Sequence, residues 1–387
     1  MPKAQKNPLP HRLLFSFLFL IFFLLSGQAQ RGLLAKSFDE TLRVGVVGDT
    51  GIGERAFHQG FIAVAKALKN QHPDLLLHLG DFVYQPKTFP KVCPERYVQE
   101  IRETLADPFR FRLFVPGDND LPPKAKKPKA SGCWEKIDPL DNPFDPNPPS
   151  TPSPGLFEGT LTIGNTFFGI LNTYPWQDPT PWLAPRIEQA RQKGLWIILA
   201  LHEPAITTAW YLEKRGTILK QINALEPDLA LSGNQHSYER FHPTRTLEAD
   251  GTLSVTHSET GVYPRGAGTM HIISGGGGAT FKPFADQQGY GYEKWAAPKE
   301  VFDALAVRAL MNHFLILEIG PNILKAVTYR VCPAADAGNR SNPRWKPHKR
   351  MWNKITLECK GQEAGITSFD RFEIQRTPVD AEKPTQR

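Results

Sequence analysis

The sequence predicts an α/β protein built on a largely parallel sheet, with its chemistry gathered at the carboxyl ends of the strands. Three observations carry that expectation. Short apolar, β-branched runs alternate with helix-like segments, the signature of βαβ units. Five of those runs stop at a carboxylate or an imidazole just where the chain turns polar. The composition, 40% hydrophobic and 22% charged over 387 residues, suits a folded domain with ample sequence for a core.

Taken in order, "LRVGVVGD" (42–49) is a short buried strand, "GFIAVAKALKNQH" has helical periodicity, and "PDLLLHLGD" is the next strand. A helix over "ERYVQEIRETL" and a strand over "FRLFVPGD" follow. Residues 121–154, rich in Pro, Lys, Asn and Asp, show no periodicity and read as a long inserted loop. "LFEGTLTIGNTFFGILNT" is two strands around a Gly-Asn turn, and "WLAPRIEQARQKG" a helix ending at Gly194. "LWIILALHE", "PDLALSGNQHSYERF", "GTMHIISGGGGATF" and "NHFLILEIGPNILKAVTYRV" supply further strands, with "GTILKQINALE" helical between the first two. A domain over 40–335 and a polar extension over 336–387 complete the organisation.

The amino terminus has Lys3, Lys6 and Arg12 ahead of "LLFSFLFLIFFLLSG" and then "QAQ", which reads as a secretory signal peptide over 1–29 cut after Ala29. The apolar core is shorter than the roughly 20 residues a spanning helix needs, so an uncleaved membrane anchor is the lesser alternative. The expected location is a secreted or other exported compartment, extracellular or periplasmic. Such compartments let disulfides persist. Four cysteines allow three pairings between which sequence does not choose; Cys93–Cys133 with Cys332–Cys359 is the most local. Four thiolates on zinc are disfavoured because no C-x-x-C spacing occurs. Asn339 opens a glycosylation sequon. The net charge of +7 suits acidic or phosphorylated partners, but no nucleic-acid-binding motif accompanies it.

The five run ends are Asp49, Asp81, Asp118, His202 and His236. In an open parallel sheet such ends share one edge, where ligands bind. One Gly-Asp after a strand is ordinarily a turn. Five, three of them anionic, would repel strongly in a low-dielectric crevice unless cations sat among them. The pattern therefore predicts a metal site.

"GDTG", "GDFVY", "PGDND", "ALHEP" and "SGNQHSYER", in that order, resemble the calcineurin-like metallophosphoesterases, and "GDFVY" and "HSYER" resemble their purple acid phosphatase branch. The resemblance implies a four-layer α-β-β-α sandwich of two mixed sheets flanked by helices, with two metal ions and phosphate-ester hydrolysis. It implies one ion held by Asp49, Asp81, Tyr84 and His236, and a second by Asp81, Asp118, His202 and Asn234. Iron paired with Fe, Mn or Zn is the expected metal complement. The expected substrate is a small phosphorylated molecule, a monoester by the purple acid phosphatase likeness. A phosphodiesterase is the alternative on the same scaffold, and a secreted pseudophosphatase acting as a binding protein the alternative of another class.

Two departures alter that expectation. The family's third motif is G-N-H-[DE], whereas this chain has Gly117-Asp118-Asn119-Asp120; the fifth is G-H-x-H, whereas this chain has Gly233-Asn234-Gln235-His236. The second site gains a carboxylate and loses an imidazole, which shifts preference from Zn toward Mn, Fe or Mg. Asn119 cannot act as a general acid, although its amide can hydrogen-bond a phosphoryl oxygen; Asp120, or a histidine from another loop, is the candidate replacement. His78 is expected in the core, and His58, His242 and His271 as structural or pocket residues. Tyr238 follows the fifth motif; Arg240 could meet phosphate, with a salt bridge the plainer role. "GGGG" (275–278) is read as close backbone packing rather than a phosphate cradle. Lys124, Lys126, Lys127 and Lys129 either steer an anion or solvate their loop.

Overall fold

The computed structural model of the chain describes residues 36–52, 58–84, 93–109, 111–123, 130–137, 157–209, 214–246, 252–259, 261–279, 281, 284–287, 293–332 and 365–376. The proposed signal peptide, the lysines of 124–129, Asn339 and Cys359 lie outside these residues, as does the side chain of His58.

The strands, in chain order, are β1 (Leu42–Val47), β2 (Leu75–His78), β3 (Arg112–Phe114), β4 (Gly159–Ile163), β5 (Thr166–Leu171), β6 (Trp196–Leu201), β7 (Leu229–Ser232) and β8 (Tyr238–Phe241). They continue as β9 (Thr244–Thr246), β10 (Leu253–Val255), β11 (Val262–Pro264), β12 (Met270–Ser274), β13 (Leu305–Ala309), β14 (His313–Ile319), β15 (Ile323–Cys332) and β16 (Gly365–Gln375). The helices are α1 (His58–Lys69), α2 (Glu95–Ile101), α3 (Trp134–Ile137), α4 (Thr180–Gln192), α5 (Lys214–Ala224) and α6 (Lys299–Asp303).

Fourteen of the strands form two seven-stranded sheets, ordered β11-β16-β15-β14-β1-β2-β3 and β13-β8-β12-β7-β6-β5-β4. Each is parallel where the chemistry sits and antiparallel toward an edge. β1, β2 and β3 run parallel, as do β5, β6, β7 and β12, while β14 and β8 join their sheets antiparallel.

The layers follow from the period-2 alternation of the strands. Val44, Val46, Leu75, Leu77 and Leu113 of the first sheet meet Phe168, Ile170, Ile198, Ala200, Leu229 and Leu231 of the second in one core. The opposite face of the first sheet, with Val47, Leu76 and Phe114, packs on Phe61, Val64 and Leu68 of α1 and Tyr97 and Val98 of α2. The outer face of the second, with Ile197, Leu199 and Ala230, packs on Leu183 and Ile187 of α4 and Ile218 and Ile222 of α5. Strands buried on both faces explain the near-continuous apolar runs. Each fully buried aliphatic contributes about 1.5–3 kcal/mol. The result is an α-β-β-α sandwich.

The sequence boundary at residue 335 is too short. Residues 365–375, assigned to the polar extension, form β16, which pairs antiparallel with β15 and parallel with β11. Specific partners explain why a polar strand stays: Asp370 accepts from Arg240 Nε at 2.6 Å and Nη2 at 3.0 Å, and from Tyr238 Oη at 2.7 Å, while Phe372 and Ile374 are buried in the core. Arg240 therefore makes a salt bridge between the two sheets and is not a phosphate contact. His271 is a core residue facing Asn223 Oδ1 at 2.9 Å, and His242 lies 3.3 Å from Tyr263 Oη. Among the described residues no helix is long and apolar enough to cross a membrane.

Candidate metal centre

β1 and β2 carry their register past the strand ends. Leu79 N donates to Val47 O at 2.8 Å, Asp49 N to Gly80 O at 3.0 Å and Thr50 N to Asp81 O at 3.1 Å. Both aspartates then turn through the left-handed region, at φ 58° for Asp49 and 55° for Asp81, and Asn234 does the same at 63°. Aspartate and asparagine tolerate that conformation better than most residues, and such strain gathers at functional sites. The sharp turn folds each side chain back over the strand end.

The two sheets meet there. His202, at the end of β6, faces Leu79 O through Nδ1 at 2.6 Å, and Asn234 N donates to Asp49 Oδ2 at 2.8 Å. Gly233 permits the approach, since a Cβ there would lie 2.7 Å from Asp49 Oδ2 and 2.8 Å from Leu79 O. The four glycines 275–278 play a similar packing part: a Cβ on Gly275 would lie 2.7 Å from Asp49 Oδ2, and one on Gly278 would press against Phe61.

Ligand atoms of Asp49, Asp81 and His202 lie within 4.8 Å of one another, and all three residues are buried. His202 Nε2 is 3.4 Å from Asp81 Oδ1 and 3.7 Å from Asp118 Oδ1. Tyr84 Oη donates to Asp49 Oδ1 at 2.8 Å and lies 3.0 Å from His236 Nε2, itself 3.3 Å from Asp49 Oδ1. Two lobes thus share Asp81: Asp49, Tyr84 and His236 on one side, Asp118 and His202 on the other. Asn234 stands against Asp49 by its backbone.

This donor set suits cations. His202 Nδ1 is held by the Leu79 carbonyl while the buried Nε2 faces the carboxylates of Asp81 and Asp118, the arrangement that fixes an imidazole for metal ligation. Burial disfavours its charged form, yet Asp81, Asp49 and Asp118 together push its pKa up to about 10. Without a cation, a proton on His202 is what the anions recruit, and a metal would displace it. Tyr84 is pushed well above the ordinary phenol range by burial and by Asp49 and Asp81. Only a strong Lewis acid would draw its proton off.

Asn119 spends its donors on the centre itself. Its backbone N donates to Asp81 Oδ1 at 2.9 Å, and Nδ2 donates to Asp81 Oδ2 at 2.5 Å and, at 3.4 Å, to Asp118 Oδ1. Asp120 is fully buried, and its carboxylate accepts from Asp81 N at 2.7 Å, Phe82 N at 3.0 Å, Val83 N at 3.3 Å and Gly117 N at 3.0 Å. Burial and the charge of Asp81 raise its pKa, but both oxygens are filled by N–H donors. This is the setting of a carboxylate that positions the Asp81 loop, not of an acid facing substrate. Asp120→Ala is expected to leave those amides unpaired and to cost about 4 kcal/mol in urea unfolding; a loss below about 1 kcal/mol would refute that role.

Three neighbours escaped the sequence reading. Tyr174, just past β5, donates to Glu203 Oε2 at 3.0 Å and tilts toward the His202 ring, 6.0 Å between centroids. Glu203 pairs with buried Arg215 at 3.2 Å. The signal was available: β5 is a further parallel strand ending beside β6, so its first polar residues had to reach the same edge. His78, in contrast, is core, wedged between Phe82 and Phe114, with burial holding its pKa down to about 3.

The profile of the calcineurin-like phosphoesterases matches residues 42–238, slightly more than half of the chain. The chain belongs to the calcineurin-like phosphoesterases. An uncharacterized protein of Mycobacterium tuberculosis (strain H37Rv) is 32% identical over 111 residues, 26% of this chain and 21% of that protein. A probable inactive purple acid phosphatase of Arabidopsis thaliana is 30% identical over 108 residues, 25% of this chain and 17% of that protein. This phosphoesterase thus spans about a fifth of the length of the curated relatives it matches. Among solved structures, a purple acid phosphatase from yellow lupin (Lupinus luteus) seeds superposes with a TM-score of 0.58 at 16% identity, over 88% of this chain and 55% of that one. At that identity the likeness concerns the fold.

Proposed function

We propose that this phosphoesterase is exported and hydrolyses small phosphate monoesters at a two-metal centre, in the manner of an acid phosphatase. The observation that carries the reading is the buried convergence of Asp49, Asp81 and His202, with His202 Nε2 turned toward the carboxylates. Two bound ions would polarise a phosphoryl group, lower the pKa of the attacking water and orient in-line displacement. The chain's own part is to hold them: Asp49, Tyr84 and His236 on one side, Asp118, His202 and Asn234 on the other, with Asp81 between. Iron on the Tyr84 side, with Fe, Mn or Zn beside it, fits the phenol; Asp118 in place of an amide also admits Mg. Export is supported by the leader-like first 29 residues and by a disulfide between Cys93 and Cys133. The monoester preference rests on the purple acid phosphatase likeness carried by "GDFVY" and "HSYER".

Asn119 gives the reading its test. With no acid at this position, the leaving oxygen departs without a donated proton, forfeiting about 10²–10⁴-fold on poor leaving groups. Across a series of aryl and alkyl phosphates, kcat is expected to fall steeply with leaving-group pKa, and matching diesters to react more slowly than monoesters. A flat series would mean another group supplies the proton; faster diesters would make this a phosphodiesterase. The binding-protein reading is kept in view by Asn119 and Asn234, and by the plant relative whose name marks it as inactive. One ion or none per chain, without turnover of any ester, would favour it.

A further inference from the structure

The segment 130–134 leans on the third motif along its whole length. Ser131 N donates to Asn119 O at 2.6 Å, Gly132 N to Leu121 O at 3.0 Å and Trp134 N to Asp120 O at 3.0 Å. Trp134 also stacks on Phe82, the residue after Asp81, with centroids 6.2 Å apart and planes at 26°. Asp81 and Asp118, the two carboxylates on the His202 side, are thus flanked by one strap. The strap runs into α3, a single turn that begins at Trp134. What fastens it is Cys133, bonded to Cys93 immediately before α2. Cys93 N donates to Ser131 O at 2.6 Å, and Lys136 Nζ to Cys93 O at 3.1 Å. Cys93, Ser131, Cys133 and Trp134 are all essentially inaccessible to solvent. On the other side Asp49 is stitched through Gly80, Ala279 and Asn234, and Tyr84 N donates to Ile52 O at 2.7 Å.

We propose that the Cys93–Cys133 bridge is a positioning element of the second cation site, holding the Asp118 loop in ligating geometry while leaving the Tyr84 side unaffected. The inference rests on the two-metal reading above. The bridge joins residues 40 apart and closes the stretch of chain that carries α2, β3 and the third motif, so it ties the strap to the start of α2. Opening it in the intact protein requires a dithiol reductant: the S–S bond breaks, two protons and two electrons pass to the cysteines, and the reductant leaves as its own disulfide.

The test is Mn(II) binding to the full chain, followed by calorimetry and metal analysis, in wild type, Cys93→Ala/Cys133→Ala and Ser131→Pro. The last keeps the bridge but removes the N–H given to Asn119 O. Wild type is expected to bind in two steps. In both variants the weaker step should lose at least tenfold in affinity while the tighter step stays within twofold. Unchanged isotherms in folded variants would overturn the proposal and leave the phosphoesterase reading intact. Equal weakening of both steps, or loss of the cooperative unfolding transition in both variants, would also overturn it, by making the strap a support of the whole fold. A wild type that binds no Mn(II) would sink both readings together.

Discussion

Asp81→Ala should abolish binding of both cations and lower kcat on an aryl phosphate roughly 10⁴-fold or more, down to the rate of contaminating background. The size of the effect follows from position. Asp81 is the one side chain both lobes face, buried, with His202 Nε2 3.4 Å from its Oδ1 and the Asn119 amide on its Oδ2. Removing it takes a ligand from each ion at once and frees Asn119 to swing. The metal-free protein should respond differently, because Asp81 is one of three clustered anions whose repulsion folding must overcome. Its unfolding free energy is expected to move by only about 1 kcal/mol in either direction, lost hydrogen bonds offsetting relieved repulsion. Metal analysis, steady-state kinetics and urea unfolding of the same preparation would check all three outcomes. A variant that kept two ions, or more than a tenth of wild-type kcat, would contradict the assignment of Asp81 as the shared ligand.

Acid should unfold the protein from within its histidines. Burial holds His271 down to about 3 and His313 down to about 4, each neutral in the folded state. In the unfolded chain both return to about 6.5. Between that value and the folded ones the unfolded state binds more protons, so stability is full above pH 6.5 and falls as pH drops toward 4. Each histidine is expected to withdraw about 2 kcal/mol between pH 7 and pH 5. With His78 behaving alike, the sum approaches the whole stability of an ordinary domain. His202 acts in the opposite sense in the metal-free protein, its charge contributing most below pH 6.5 and fading as pH rises through about 10. Urea unfolding at pH 7, 6 and 5 would measure the slope. A midpoint unchanged down to pH 5 would show that these side chains are hydrated in the native state. An acid phosphatase-like activity must therefore operate above the pH at which the core protonates, or rely on bound metal for the missing stability.

Much of the centre was legible because the relevant physics is local. A β-branched run ending in Gly-Asp records both a buried parallel strand and the turn that ends it, and Asp49, Asp81, Asp118, His202 and His236 can each be picked out from that pattern alone. Tyr84 was reached through the family resemblance, which places a ligand at its offset from Asp81. Asp120 marks the limit of that pattern. A carboxylate beside a metal motif looks like chemistry in a string of letters, and only the positions of four amides reveal its occupation as an acceptor. Arg240 is the same lesson in reverse: its partner, Asp370, lies 130 residues further on, in a stretch too polar to suggest a strand.

The sequence by itself determined which faces are apolar, where strands stop, and which residue types wait at those stops, since these depend on neighbours a few positions apart. Tertiary structure alone decided that β16 enters the first sheet between β15 and β11, and that residues 130–134 are strapped to the third motif. Those outcomes depend on contacts between distant segments, where polar side chains are stable only because a specific partner buries with them.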